Sequence, residues 1–105
     1  MSKDCLLVAN RGEIAVRILK SALDLGLSCR VIYSDSDADA SHVLQSQDQA
    51  LKIPGDGPAA YLDIDSILAV AKDNNCTQIH PGYGFLSESA EFAQEVERVG
   101  LTWVG

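Results

Sequence analysis

Basic residues are scarce in this chain: eight Lys and Arg stand against fifteen Asp and Glu, a net charge of −7. A surplus of that sign repels phosphate backbones and anionic headgroups, which argues against nucleic acid or a membrane surface as the main partner. No apolar run approaches the ~18 residues that a membrane-spanning helix needs. Cysteine is sparse too. The three present, Cys5, Cys29 and Cys76, form no C-x-x-C pair and no Cys/His spacing of a zinc site. Each sits at the edge of an apolar run, which points to buried, reduced thiols in a cytosol-like compartment. Met1-Ser2-Lys3-Asp4 carries neither a secretory signal nor an Arg-rich transit pattern. The expected compartment is the cytoplasm, or the mitochondrion if a presequence has been removed.

Signatures of phosphate and metal sites are missing as well. A dinucleotide site needs G-x-G-x-x-G after its first strand and an acid about 20 residues on. Asp35 meets the second condition, but Asn10-Arg11-Gly12-Glu13-Ile14-Ala15 holds a single glycine and places an acid in the first helical turn. There is no G-x-x-x-x-G-K-[ST] loop to cradle phosphate. Asp35-Ser36-Asp37-Ala38-Asp39 opens like a calcium loop, yet its sixth position is Ala40 rather than Gly and its twelfth Ser46 rather than Glu. It is read as a solvated acidic loop, and no metal ligands are assigned.

What remains is a regular alternation. Near-continuous apolar runs at 5–9, 29–33, 50–53, 76–79 and 101–104 fit strands covered on both faces, as in a parallel sheet. Helical patterns lie between them. Residues 13–25 carry Ile14, Ile18, Ala22 and Leu25 as the expected inward face, and Gly26 follows as a stop. Residues 41–47 form a short helix. Residues 63–72 place Ile64, Ile67, Leu68 and Ala71 together behind a capping Asp63, and 89–99 do the same with Phe92, Ala93, Val96 and Val99 before Gly100. Pro54-Gly55-Asp56-Gly57-Pro58 reads as an exposed loop. Right-handed crossovers turn this order into an α/β fold: a doubly wound parallel sheet of about five strands, in one small domain over 1–105. The stop just past a strand at Val104-Gly105 suggests a piece of a longer chain.

Ligands of such sheets sit beyond the carboxyl ends of the strands, where strand order reverses. With the assumed order 3-2-1-4-5, two polar, glycine-bearing loops meet there: Asn10, Arg11, Gly12 and Glu13 after the first strand, and His80, Pro81, Gly82, Tyr83 and Gly84 after the fourth. Tyr83 between two glycines calls for an explanation other than packing. His80 reads as a ring fixed by backbone hydrogen bonds beneath the turn, with acid–base work as the functional alternative. Glu88 favours the N-terminus of the following helix. Glu13, Arg17, Lys20 and Asp24 fall at i, i+4, i+7 and i+11, one charged stripe that is either a solvated face or a partner surface.

The strings Val8-Ala9-Asn10-Arg11-Gly12-Glu13-Ile14-Ala15-Val16-Arg17-Ile18, Ser34-Asp35-Ser36-Asp37-Ala38-Asp39 with His42-Val43, and the run from Ile79 through Ser89 resemble the N-terminal domain of biotin carboxylases. The likeness covers essentially the whole chain with its motifs in family order. It implies a Rossmann-like pre-ATP-grasp domain of a ligase that carboxylates biotin with ATP and bicarbonate through carboxyphosphate. The magnesium ligands, the ATP lysines and the bicarbonate-binding arginine belong to the other parts of that enzyme, so this span alone is expected to be inert and to bind no cofactor. The resemblance assigns His80, Pro81, Gly82, Tyr83 and Gly84 to the cleft where biotin approaches, Tyr83 offering a ring face and Gly84 its backbone. It assigns the face of Arg17, Lys20 and Asp24 to a homodimer interface, although stand-alone bacterial enzymes have Arg and Glu where this chain has Lys20 and Asp24. The implied partners are the remaining carboxylase domains, the biotin carboxyl carrier and the carboxyltransferase. The rival readings are a stand-alone binding or assembly module and the equivalent domain of another ATP-grasp ligase.

Overall fold

Alternation along the first strand decides the layering. In the computed structural model, which describes residues 4–46 and 49–104, β1 (Cys5–Val8) points Leu6 and Val8 into one apolar cluster and Leu7 into another. Successive side chains of a strand face opposite ways, so a strand that is apolar throughout needs cover on both sides. α1 (Gly12–Asp24) supplies it on the first face through Ala15, Leu19 and Ala22. α3 (Ile64–Asp73) and α4 (Ala90–Arg98) supply it on the other through Ile67, Ala71, Phe92 and Val96.

β2 (Ser28–Tyr33), β3 (Ala50–Lys52), β4 (Gln78–His80) and β5 (Thr102–Trp103) complete a parallel sheet of order β3-β2-β1-β4-β5. The chain runs outward from β1 to β3, then crosses back to β4 on the other side of β1. The expected order is therefore the observed one, and β1 and β4 flank the reversal. Val8 lies opposite His80, and the Ala9 amide donates to the His80 carbonyl at 2.8 Å.

The predicted helix starts are physically accounted for. Asp63 accepts from the Ser66 amide at 3.2 Å and Ser89 from the Phe92 amide at 3.1 Å, each satisfying a first-turn donor. α2 is a short helix, Ser41–Gln45. Gln47, expected at its end, lies outside the described residues, as do Met1 to Lys3 and Gly105.

Some expectations need correction. The buried face of α1 is Ala15, Val16, Leu19 and Ala22, whereas Ile14 and Ile18 are half-buried and Leu25 is 77% exposed. Leu25 is the residue that ends the helix, and Ile14 is turned toward the loop after β4. Two 3-10 turns were not foreseen, Asp35–Asp37 and Pro58–Leu62. Such turns are too short to leave a helical period in the sequence.

Candidate functional site

The loops after β1 and β4 meet through one side chain. Asn10 is fully buried, and its Nδ2 donates to the Pro81 carbonyl at 2.8 Å and the Tyr83 carbonyl at 2.7 Å. Its Oδ1 accepts from the Arg11 amide at 2.8 Å. One short amide thus satisfies polar groups of two loops that would otherwise be stranded away from water.

Gly82 allows that approach. Its φ is +69°, and a Cβ there would come within 2.8 Å of both Asn10 Nδ2 and Ile14 Cγ2. Gly84 has φ +67° but open space around it. Between them Tyr83 stands 75% exposed. A large ring is thus left in solvent on a backbone held from below.

His80 is half-buried, and its Nδ1 accepts from the Gly82 amide at 3.1 Å. Burial holds its pKa below the ordinary imidazole value. With that lone pair committed to the backbone, the ring shapes the turn; Nδ1 is not available as a base. Pro81 is buried beneath the same turn.

The other loop has a partner that sequence reasoning missed. Arg11 makes a two-pronged ion pair with Asp37, Nε to Oδ2 and Nη2 to Oδ1, both at 2.6 Å. Asp37 is buried, so the reading of 35–39 as a solvated loop is wrong at its centre. The flanking Asp35, Ser36, Ala38 and Asp39 are exposed as expected. The hydrogen bond from Arg11 holds the Asp37 carboxyl below its ordinary pKa, against the opposing effect of burial. The same bond raises the Arg11 guanidinium. Tyr61, buried in the second 3-10 turn, donates its hydroxyl to Asp37 Oδ2 at 2.6 Å. The Arg11 guanidinium also lies over the Tyr61 ring, 5.7 Å from its centroid.

His42, also missed, is fully buried on α2. Its Nδ1 accepts from the Gly12 amide at 3.2 Å, and its Nε2 lies 2.8 Å from the Ile32 carbonyl. A carbonyl can only accept and an amide only donate, so the ring is neutral with its proton on Nε2. Burial lowers its pKa in keeping with that form. A signal for Asp37 existed in the sequence: an arginine after the first strand wants a counterion, and the loop after the neighbouring second strand offers one. Nothing comparable marked Tyr61, and His42 stood in a resembling string without a role of its own.

Glu13, Arg17, Lys20 and Asp24 are all exposed on α1. Among the described residues no ion pair joins Glu13 to Arg17 or Lys20 to Asp24. The stripe thus carries no ion pair among the described residues, and its first member, Glu13, borders the loop after β1. Cys5, Cys29 and Cys76 carry free thiols, and burial pushes Cys29 and Cys76 up to about 12. No group of three or more His, Cys, Asp or Glu among the described residues could hold a metal ion. The described residues thus offer no ready set of magnesium ligands.

The family model described as biotin carboxylase, N-terminal domain, matches residues 2–105. The chain belongs to this family. Biotin carboxylase 1 of Bacillus subtilis is 48% identical over 101 residues, which are 95% of this chain and 22% of that protein. The biotin carboxylase of Haemophilus influenzae is 44% identical over 100 residues, again 95% of this chain and 22% of that protein. A solved biotin carboxylase domain of a single-chain bacterial carboxylase superposes with a TM-score of 0.94 at 45% identity, covering 98% of this chain and 24% of that one. The chain thus spans about a fifth of the length of the curated relatives it matches. Within this biotin carboxylase N-terminal fold, the two glycine-bearing loops stand at the reversal of strand order, where open parallel sheets bind ligands.

Proposed function

We propose that this chain is the N-terminal domain of an enzyme that carboxylates biotin with ATP and bicarbonate, and that it forms the biotin-side wall of the active-site cleft. The observation that carries the reading is the Tyr83 ring, 75% exposed on a turn fastened by a buried Asn10, in a chain of the biotin carboxylase family. Tyr83 supplies an apolar face and the Gly84 backbone an open approach. His80, Pro81 and Gly82 hold the turn, and Asn10, Arg11 and Gly12 form its base beside the exposed Glu13.

The chemistry belongs to the rest of the enzyme. Transferring a phosphoryl group needs cationic clamps and magnesium, and Arg11, the cation of the loop after β1, is already neutralised by the buried Asp37. The domain's own contribution is to position biotin, and its partners are the remaining carboxylase domains, the biotin carboxyl carrier and the carboxyltransferase. No described helix is long and apolar enough to cross a membrane. The free thiols suit a reducing compartment, the cytoplasm or, with a presequence removed, the mitochondrion.

The test is ATP turnover. The complete enzyme should hydrolyse ATP in response to bicarbonate and free biotin, and the 105 residues alone should not. Turnover by the isolated span would overturn its role as a wall. A complete enzyme indifferent to biotin would overturn the carboxylase reading. A second reading rests on the α1 stripe: Arg17, Lys20 and Asp24 stand exposed on one helix and serve a subunit interface.

A further inference from the structure

Four loops that follow four successive strands converge on one chain of contacts. After β1 come Asn10 and Arg11, after β2 Asp37, after β3 Tyr61, and after β4 Phe85. Asn10 fastens the near part of the 81–85 turn through the Pro81 and Tyr83 carbonyls. The far part ends at Phe85, whose φ is +47°. A bulky residue keeps that left-handed backbone only where its surroundings impose it. The Phe85 ring meets the Tyr61 ring, with centroids 5.6 Å apart and planes tilted by 51°.

Tyr61 is fixed in turn. Its hydroxyl donates to Asp37 Oδ2 at 2.6 Å and accepts from the Ser34 amide at 3.1 Å. Asp37 Oδ2 also accepts from Arg11 Nε at 2.6 Å, and the Arg11 amide donates to Asn10 Oδ1 at 2.8 Å. The contacts close into a circuit that runs from Asn10 through the turn to Phe85, Tyr61, Asp37 and Arg11, and back to Asn10. The circuit contains Tyr83, which points out of it into solvent.

We propose that Tyr61 is a positioning residue for the biotin-side turn: it transmits the geometry of the Arg11–Asp37 pair to Phe85, and so sets where the Tyr83 ring and the Gly84 backbone stand. Tyr61 is fully buried, so it acts through its neighbours. Its ring supports Phe85, while its hydroxyl needs both a donor and an acceptor role that phenylalanine lacks. The inference rests on the biotin carboxylase reading above.

The experiment uses the complete enzyme with Tyr61→Phe, Phe85→Leu and the double variant, assayed against free biotin and against ATP. A displacement of order 1 Å at a binding wall changes rates by up to ~100-fold, so each single variant should raise the KM for biotin by ~5–20-fold. The KM for ATP should stay within ~2-fold, because the ATP clamps lie on other domains. The double variant should fall short of the product of the single effects, since both act through one contact. Parallel rises in both KM values, or fully multiplicative effects, would overturn the proposal, because a loss of general packing behaves that way. Should Tyr61→Phe fail to fold, the biotin-to-ATP split in Phe85→Leu decides alone, its ring being 37% exposed. Wild-type enzyme without biotin-dependent turnover defeats the carboxylase reading; active wild type with unsplit variants defeats only the role of Tyr61.

Discussion

Asn10 Nδ2 and the Tyr83 carbonyl oxygen, 2.7 Å apart, join two loops whose residues are separated by 73 positions in the chain. Asn10→Asp keeps the side-chain size but turns a donor of two hydrogen bonds into an acceptor facing two carbonyls. Leaving buried polar groups unsatisfied costs ~1–3 kcal/mol, so the urea midpoint should fall accordingly, and further for Asp than for Ala. Midpoints equal to wild type for both variants would show that the turn stands without Asn10.

Gly82 and Gly84 separate strain from crowding, because their φ values, +69° and +67°, are nearly equal. A left-handed non-glycine residue costs ~1–2 kcal/mol, which both alanine variants should show. Gly82→Ala should lose at least ~1 kcal/mol more, because its methyl group also collides with Asn10 and Ile14. Equal losses in thermal unfolding would mean that the loop yields freely.

Acid should weaken the fold in two stages. His42 and His80 both have folded pKa values below the ordinary 6.5, so the unfolded chain binds protons first and stability declines as pH falls below that value. For His42 the cause is explicit: a proton on Nδ1 would set two donors, ring and Gly12 amide, against each other. Asp37 adds a second decline below its ordinary 3.8, when the unfolded chain takes up a proton that the Arg11-bound carboxylate refuses. Urea unfolding across pH should show a shallower first decline in His42→Gln; an unaltered slope would assign that stage to His80.

In the complete enzyme, Tyr83→Ala should raise the KM for free biotin more than that for ATP, because it removes a ring face and leaves the turn's tethers in place. Equal changes in both would reduce Tyr83 to a structural residue.

Lys20→Glu reverses a charge in the middle of the α1 stripe. If that face joins subunits, the complete enzyme should elute at lower apparent mass on size exclusion. Unchanged elution would make the stripe a solvated face, with Arg17 and Asp24 part of it.

The strand–helix order was legible, because apolar runs, helix caps and glycines act locally; the sheet order was assumed and agrees with the structure, and the meeting of the two glycine loops follows from it. The capping role of Asp63 was legible for the same local reason. The phase of α1 was not: its apolar surface is broad, and which part faces inward depends on neighbours such as Gly82. The exposure of Tyr83 was readable from its flanking glycines, but the support beneath it was not. Asp37 lay hidden in an acidic run that looks like solvent-loving sequence, and Tyr61 in a 3-10 turn without periodicity. Both acquire their roles only when loops from different strands come together.

The long crossing from one rim of the sheet to β4 carries a kinetic consequence. Asn10 and Pro81 lie 71 positions apart, so the tether between them can close only after most of the polypeptide has collapsed. Local hairpin-like searches cannot assemble it, and such distant pairings form slowly. A nascent chain that has not yet delivered β4 can begin the β1–β2–β3 half, but Asn10 then has no turn to hold, and the platform under Tyr83 appears only with closure.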